Sequence, residues 1–119
     1  MPHLTATRTL ARLFSALEDE TRLRIVALLA HRELCVCHIQ ELLSLSQSNV
    51  SRHLRILRLA GIVSDRRQGR WAHYQLADRL DPEISAVLLP LRRTFSRDRA
   101  LAKLIRAVVD KAGPNACKP

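Results

Sequence analysis

The chain has 119 residues, which fits one domain and excludes multi-domain enzyme architectures. Apolar residues make up 47% of the chain and aromatic residues only 3%. The core must therefore be built from aliphatic side chains, which favours helices. The formal net charge of +9 and the pI near 11.0 predict a polyanionic partner, with nucleic acid the first candidate and an anionic membrane surface the second.

The sequence gives no sign of membrane insertion or export. No stretch approaches the roughly 18 consecutive apolar residues of a membrane-spanning helix, and the first residues lack the basic and apolar pattern of a signal peptide. We therefore expect a cytoplasmic protein without a membrane partner. Its three cysteines do not suggest a disulfide framework, and cytosolic thiols stay reduced, so they are available as ligands or nucleophiles.

Basic charge is concentrated in the middle of the chain. Residues 46–76 contain six basic side chains and one acidic side chain, whereas residues 1–45 contain five of each. A run of arginines is often only a solvated helix face. Because Asp65 is the single acid in this segment, the charge pattern favours a surface that binds nucleic acid.

Two helices are predicted in the first third of the chain. Apolar residues recur at the spacing i, i+3, i+4, i+7 from Leu10 to Leu17, which predicts an amphipathic helix over about residues 5–17. A polar break follows, and Asp19 is placed to cap a second, largely buried helix.

Two further helices are predicted on either side of a polar turn. The first covers residues 38–43, and the second covers residues 47–59 with Val50, Leu54 and Leu57 on its buried face. Ser46 is placed to cap the second one. Two short helices joined by a tight turn, the second one basic, are typical of a helix-turn-helix.

A β-hairpin is predicted directly after these helices. Gly61 ends the preceding helix, and residues 62–67 and 70–76 form two strands joined at Gln68-Gly69, where glycine can adopt a positive φ. Arginines flank the tip on both sides. Such a hairpin after a basic helix is typical of the wing of a winged helix, which contacts phosphates or the minor groove.

The C-terminal third returns to helix. Asp81-Pro82-Glu83 is a strong start signal, and Pro90 should kink or divide the helical region that follows. A winged helix closes its core with about residues 19–76, so the apolar stripes of the terminal helices predict an interface. We expect a mainly α fold with a small β-hairpin: a winged helix-turn-helix over residues 1–112, dimerised through its N- and C-terminal helices, and a flexible tail over 113–119.

Side chains that can hydrogen-bond to base edges are concentrated at the start of the basic helix. The predicted contacts to double-stranded DNA are Gln47, Ser48, Asn49, Ser51, Arg52 and His53. Capping of the helix is an equal explanation for Ser48. On the wing, the arginines expected to contact mostly phosphate are Arg66, Arg67 and Arg70.

Cys35 and Cys37 have the most informative chemistry in the sequence. Two thiols two residues apart point to nearly opposite sides of a regular helix, so one small ion can bridge them only if the first turn opens. Thiolates are soft donors, which favours a thiophilic ion. The spacing alone also fits two small, partly buried apolar residues, which is common for cysteine.

The run Glu33-Leu34-Cys35-Val36-Cys37 resembles the metal-binding motif of the ArsR/SmtB family of metalloregulatory repressors. The resemblance covers about residues 10–90, including the helix-turn-helix and the segment that begins at Gly69-Arg70-Trp71. It implies a homodimeric repressor that sits on an operator and is released when the cysteines bind As(III) or Sb(III) as inducer, with no organic cofactor.

The sequence departs from that family pattern after the second cysteine. The arsenic-type motif usually continues with Asp, Leu and a third Cys, where His38, Ile39 and Gln40 stand here. By resemblance, a third thiolate would have to come from Cys117 in the tail, which makes Cys35, Cys37 and Cys117 the expected ligands. Another donor, such as His38, is the alternative. Trivalent arsenic or antimony is favoured over cadmium, which would use four donors.

Three other functions stay open at this point. One is a repressor of the same fold that responds to cadmium or lead, and another is a thiol-redox switch, although a disulfide across one intervening residue is strained. The third is a constitutive DNA-binding protein whose thiols only pack. An enzyme is not expected, because the sequence has no Ser/His/Asp set, no phosphate-cradling glycine loop and no βαβ pattern around its C-x-C.

Overall fold

The computed structural model describes residues 2–78 and 80–112. In chain order these form α1 (Pro2–Leu17), α2 (Glu20–Leu29), β1 (Leu34–Cys35), α3 (Val36–Leu43), α4 (Gln47–Leu59), β2 (Val63–Gln68), β3 (Trp71–Leu76), α5 (Pro82–Ser96) and α6 (Arg99–Ala112). The predicted mainly helical class with a small hairpin is confirmed. The predicted tail over residues 113–119, with Cys117, lies outside the described residues.

The ends of α2 and α4 follow from local hydrogen bonds. The Asp19 carboxylate accepts from the backbone N–H of Arg22 at 3.0 Å, and Ser46 Oγ accepts from the backbone N–H of Asn49 at 3.3 Å, as the sequence predicted for both caps. After α4, the N–H groups of Gly61 and Ile62 donate to carbonyls of the last helical turn at 3.0 Å each. This pairing requires the left-handed conformation that Gly61 adopts, with φ 78°.

The sheet has one strand more than the sequence predicted. Its order is β1-β3-β2, and both pairings are antiparallel. In β1, Leu34 lies opposite Tyr74 and Cys35 lies opposite His73. A two-residue strand is too short to show the alternation by which a strand is recognised in a sequence, so only the β2–β3 hairpin could be predicted.

The core is aliphatic, as the composition requires. Every helix and the segment after α4 contribute a side chain that is almost completely buried: Leu13, Ile25, Ile39, Leu54, Ile62, Leu88 and Ile105. The buried face of α4 consists of the predicted Val50, Leu54 and Leu57. Among the described helices, none is both long and apolar enough to cross a membrane.

Of the two outcomes predicted for Pro90, a kink or a division of the C-terminal helical region, the structure contradicts the division. Pro90 lies inside α5, and the helical region is divided after Ser96. A proline removes one backbone donor, a loss that a helix held by tertiary packing can tolerate. Ile84 and Leu88 hold α5 in the core. The Asp98 carboxylate accepts from the backbone N–H of Leu101 at 3.0 Å and so caps the first turn of α6.

We predict that Gly61→Ala destabilises the protein more than Gly69→Ala. Both glycines have a positive φ, 78° and 63°, so each alanine adds a strain of about 1 to 2 kcal/mol. A Cβ at Gly61 would also lie 3.3 Å from Ile84 Cδ1, whereas a Cβ at Gly69 would meet nothing within 4 Å. Urea unfolding measures both losses of unfolding free energy. Equal losses would show that the contact with Ile84 adds no cost.

Candidate nucleic-acid interface and metal centre

The burial of one face of α4 leaves a polar face exposed at its N-terminal end. Five of the six residues predicted to contact bases from this helix are exposed: Gln47, Ser48, Asn49, Ser51 and Arg52. Ser48 also takes part in the cap region, since its Oγ lies 3.3 Å from Ser46 Oγ. Ser48 is therefore placed both to support the cap and to contact a base, and the two explanations do not exclude each other.

His53, the sixth residue, lies on the other side of α4. Its exposed fraction is 7%, and its Nδ1 lies 3.3 Å from Arg22 Nη1. Burial lowers the pKa of His53, which favours the neutral imidazole. Three residues after Val50 and one before Leu54, His53 belongs to the buried stripe of the helix. The same 3.6-residue period that placed Val50 and Leu54 in the core could have placed His53 there.

The three arginines predicted on the wing are exposed, but one of them has an internal partner. Arg66 donates to the carboxylate of Glu33 through Nε at 3.1 Å to each oxygen and through Nη2 at 2.6 Å. These hydrogen bonds lower the pKa of Glu33. Arg67 and Arg70 lie nearer to the tip, and both are exposed. The pairing of Glu33 with Arg66 was not predicted from the sequence, because 33 residues separate the two side chains.

The cysteine pair lies at the junction between β1 and α3. Cys35 precedes the helix with an extended backbone, φ −81° and ψ 161°, and Cys37 lies in the first helical turn. Their Sγ atoms are 2.8 Å apart. The prediction that the first turn must open to bring the sulfurs together is therefore wrong. It assumed that both residues lie on regular helix, whereas the extended conformation of Cys35 turns its side chain toward Cys37.

His38 adds a nitrogen to the two sulfurs. Its Nδ1 lies 3.3 Å from Cys35 Sγ, and the three ligand atoms of Cys35, Cys37 and His38 all lie within 4.8 Å of one another. Burial lowers the pKa of His38, with a further contribution from Arg32. The neutral imidazole is thus favoured, and this is the form that binds metal ions. His38 Nε2 is buried and has no hydrogen-bond partner among the described residues.

Two soft sulfurs and one imidazole nitrogen suit a thiophilic ion. Among the described residues, Cys35, Cys37 and His38 are the three metal-ligating side chains that lie close enough together to hold one ion. The predicted third thiolate, Cys117, lies outside the described residues, so the structure offers His38 as the third donor within reach of both sulfurs.

The cysteine pair shares one cleft with side chains that were predicted to contact DNA. It has a volume of about 430 Å³ and lies between the start of α3, the start of α4 and the wing. Its lining includes Cys35, Cys37, Gln47, Ser51, Arg70 and Trp71. A change at the sulfurs is therefore adjacent to both elements that were predicted to contact DNA.

Known proteins match this chain in sequence. A model of the bacterial regulatory proteins of the arsR family matches residues 19–65. The chain is 51% identical over 76 residues to the arsenical resistance operon repressor of Escherichia coli strain K12, covering 63% of this chain and 62% of that relative. It thus spans slightly less than two thirds of that repressor's length. It is 42% identical over 87 residues to the arsenic resistance transcriptional regulator ArsR1 of Pseudomonas putida strain KT2440, covering 72% of this chain and 68% of that relative.

The fold also matches a solved structure. The solution NMR structure of a homodimeric winged helix-turn-helix DNA-binding domain, Mb0332 from Mycobacterium bovis, aligns with a TM-score of 0.64 and 26% identity, over 85% of this chain and 84% of that one. The predicted winged helix-turn-helix is thereby confirmed. The chain belongs to the arsR family of bacterial regulatory proteins, which are transcriptional regulators and not enzymes.

Proposed function

We propose that this protein is a homodimeric transcriptional repressor of the cytoplasm that binds double-stranded operator DNA and releases it when trivalent arsenic or antimony binds Cys35 and Cys37. The observation that carries the proposal is the cluster of two sulfurs and one imidazole nitrogen, with all donor atoms within 4.8 Å, at the end of β1, which pairs with the wing, and at the start of α3. The names of the two arsenic-resistance relatives support the choice of inducer.

DNA binding is supported by the two exposed surfaces beside the cleft. The amide and guanidinium groups at the start of α4 can read base edges in a major groove. The exposed Arg67 and Arg70 of the wing can contact phosphates on either side. We assign Arg66 a smaller share of these contacts, because its guanidinium is held by Glu33.

A homodimer is supported by apolar side chains that the described part of the chain leaves exposed on its terminal helices. Phe14 on α1, Leu89 on α5 and Leu104 on α6 are 52%, 44% and 50% exposed. Exposed apolar stripes usually mark an interface, and the Mycobacterium bovis domain with the same fold is homodimeric. A two-fold dimer would place two copies of α4 about 34 Å apart, the spacing of successive major grooves.

The geometry suggests how an ion would act on DNA binding. Cys35 pairs with His73 of β3, while Cys37 belongs to the helix that supports α4. An ion held by both sulfurs would tie the end of β1 to the first turn of α3, and so would act on the wing and on α4 together. Release requires only that the ion binds the DNA-free form more tightly, and couplings of about 1 to 3 kcal/mol are typical.

We predict that the double variant Cys35→Ser, Cys37→Ser binds the operator with close to wild-type affinity but is not released by arsenite. The serines keep nearly the same side-chain size while they replace the soft sulfur donors with hydroxyl groups. A gel shift at fixed salt, with arsenite, antimonite, cadmium, lead and peroxide added in turn, measures release, and Cys117→Ser is the control.

Each other outcome of this gel shift points to a different function. Release of the wild type by cadmium or lead alone would identify a sensor of those ions, and release by peroxide alone would identify a redox switch. Release by none of the additions would identify a constitutive DNA-binding protein. Arsenite release of the double serine variant would exclude the cysteine pair as the inducer site.

We predict that His38, rather than Cys117, supplies the third donor. Arsenic X-ray absorption should then show two As–S bonds both in the wild type and in Cys117→Ser, and His38→Ala should bind arsenite more weakly. The His38 imidazole is placed for this by its distance of 3.3 Å from Cys35 Sγ. Three As–S bonds in the wild type, reduced to two in Cys117→Ser, would assign the third position to Cys117.

We predict that Arg70→Ala weakens binding to all DNA sequences alike and reduces the slope of log affinity against log salt by about 1, because one phosphate contact is lost. Gln47→Ala should instead relax the preference at one base pair. Arg66→Ala is the matched control on the same wing, and it should reduce the slope less than Arg70→Ala because Glu33 holds Arg66. Binding that does not depend on salt would contradict this interface.

A further inference from the structure

His53 is a residue of α4 that lies outside the proposed DNA-binding surface. Among the residues that the structure describes, His53 is the one polar side chain that is buried in the core. It follows Arg52 directly, yet the turn of about 100° per residue places it on the buried side of the helix, where it meets Arg22 of α2. A buried polar group needs a hydrogen-bond partner, and the partner of His53 comes from α2.

Arg22 connects His53 to the end of α1. Its Nη1 lies 3.3 Å from His53 Nδ1, its Nε donates to the carbonyl of Ala16 at 2.6 Å, and its Nη2 donates to the carbonyl of Ser15 at 3.4 Å. These two carbonyls belong to the last turn of α1, where intrahelical donors are missing. A single side chain of α2, 14% exposed, therefore holds both the end of α1 and the middle of α4.

Asp19 completes the junction from the cap of α2. Its carboxylate accepts from the backbone N–H of Arg22 at 3.0 Å and lies 4.0 Å from both Arg22 Nη1 and His53 Nδ1. The backbone hydrogen bond from Arg22 is the main reason that the pKa of Asp19 is lowered. The charged form of the Asp19 carboxylate is therefore favoured, and it lies beside both the guanidinium and the imidazole.

The contact with Arg22 determines which ring nitrogen of His53 carries the proton. A guanidinium has donors and no acceptor, so His53 Nδ1 must accept, and the ring proton must lie on Nε2. A leucine at position 53 would fill a similar volume without an acceptor. An asparagine would place Oδ1 near the position of Nδ1 and would restore one.

We propose that His53 is a positioning residue: through Arg22 it sets the orientation of α4 relative to α1 and α2, and it makes no contact with DNA. The proposal replaces the predicted DNA contact of His53, and it rests on the proposed function in one respect, that α4 reads the operator. Because α1 belongs to the proposed dimer interface, the junction also links the orientation of α4 to the two-fold axis.

The contact itself is tested without DNA. Long-range ¹H–¹⁵N NMR spectra of the full chain should show His53 as the neutral tautomer protonated at Nε2. Arg22→Gln should shift the Nδ1 resonance, and the neighbouring Arg24→Gln should leave it unchanged. Arg24 is the matched control because it also lies on α2 but pairs with Glu20 at 2.9 Å on the surface. A His53 that is protonated at Nδ1 would overturn the proposal whether or not the protein binds DNA.

The effect on recognition is tested on a duplex selected by the wild-type protein from a randomised pool, with thermal unfolding to confirm that each variant folds. His53→Leu should weaken binding to this duplex by about tenfold, the equivalent of one lost hydrogen bond, with no change in the salt slope. His53→Asn should restore most of the affinity. Arg22→Gln should weaken binding at least as much as His53→Leu, because Arg22 also holds the end of α1, and the double variant should be no weaker than Arg22→Gln.

A direct DNA contact by His53 gives a different pattern. The preference of His53→Leu would then relax at a single base pair, and its effect would add to that of Arg22→Gln, because the two residues would act independently. Either result would overturn the positioning role. If the wild type selects no duplex from the pool, the proposed function fails together with this role, while the DNA-free NMR result still shows whether the contact exists.

Discussion

Burial of one stripe of α4 is the constraint on which the proposed DNA-binding surface depends. Val50, Leu54 and Leu57 are completely buried, and their spacing leaves the helix a single rotation about its axis. That rotation directs Gln47, Ser51 and the other polar side chains at the start of the helix outward. It also directs His53 inward, where the one buried imidazole of the described core meets Arg22. Exposure and burial on this helix therefore have one cause, the aliphatic contact with the core.

The segment from Glu33 to Cys37 connects this helix-turn-helix with the wing. Leu34 and Cys35 pair with β3 through the backbone, and the Glu33 carboxylate binds Arg66 on β2. One residue later the chain enters α3, which packs against α4. The segment therefore contacts both elements that we propose to bind DNA, the wing and the helix-turn-helix. The donor atoms of Cys35, Cys37 and His38 are thus located next to both of these elements.

The positive charge of the chain is divided between internal contacts and the surface. Arg22 and Arg66 are engaged by backbone carbonyls or by carboxylates, and Arg58 lies 3.8 Å from Asp65. Such arginines contribute to the formal net charge but hold helices and strands in place. Others, such as Arg52, Arg67 and Arg70, are exposed beside the cleft. The charge available to a polyanion is therefore smaller than a count of residues suggests, and part of it lies at the start of α4 and at the tip of the wing.

Local patterns in the sequence determined the types and order of the helices, the hairpin, the caps at Asp19 and Ser46, and the exposed residues from Gln47 to Arg52. Each of these depends on residues within one or two turns of each other, so helical periodicity and capping chemistry were sufficient. Only the tertiary structure decided the strand β1, the approach of the two sulfurs, the pairing of Glu33 with Arg66 and that of Arg22 with His53. The last two pairs are separated by 33 and 31 residues. Their partners are chosen by how the helices pack and by which strands pair, and no local pattern in a single sequence records that choice.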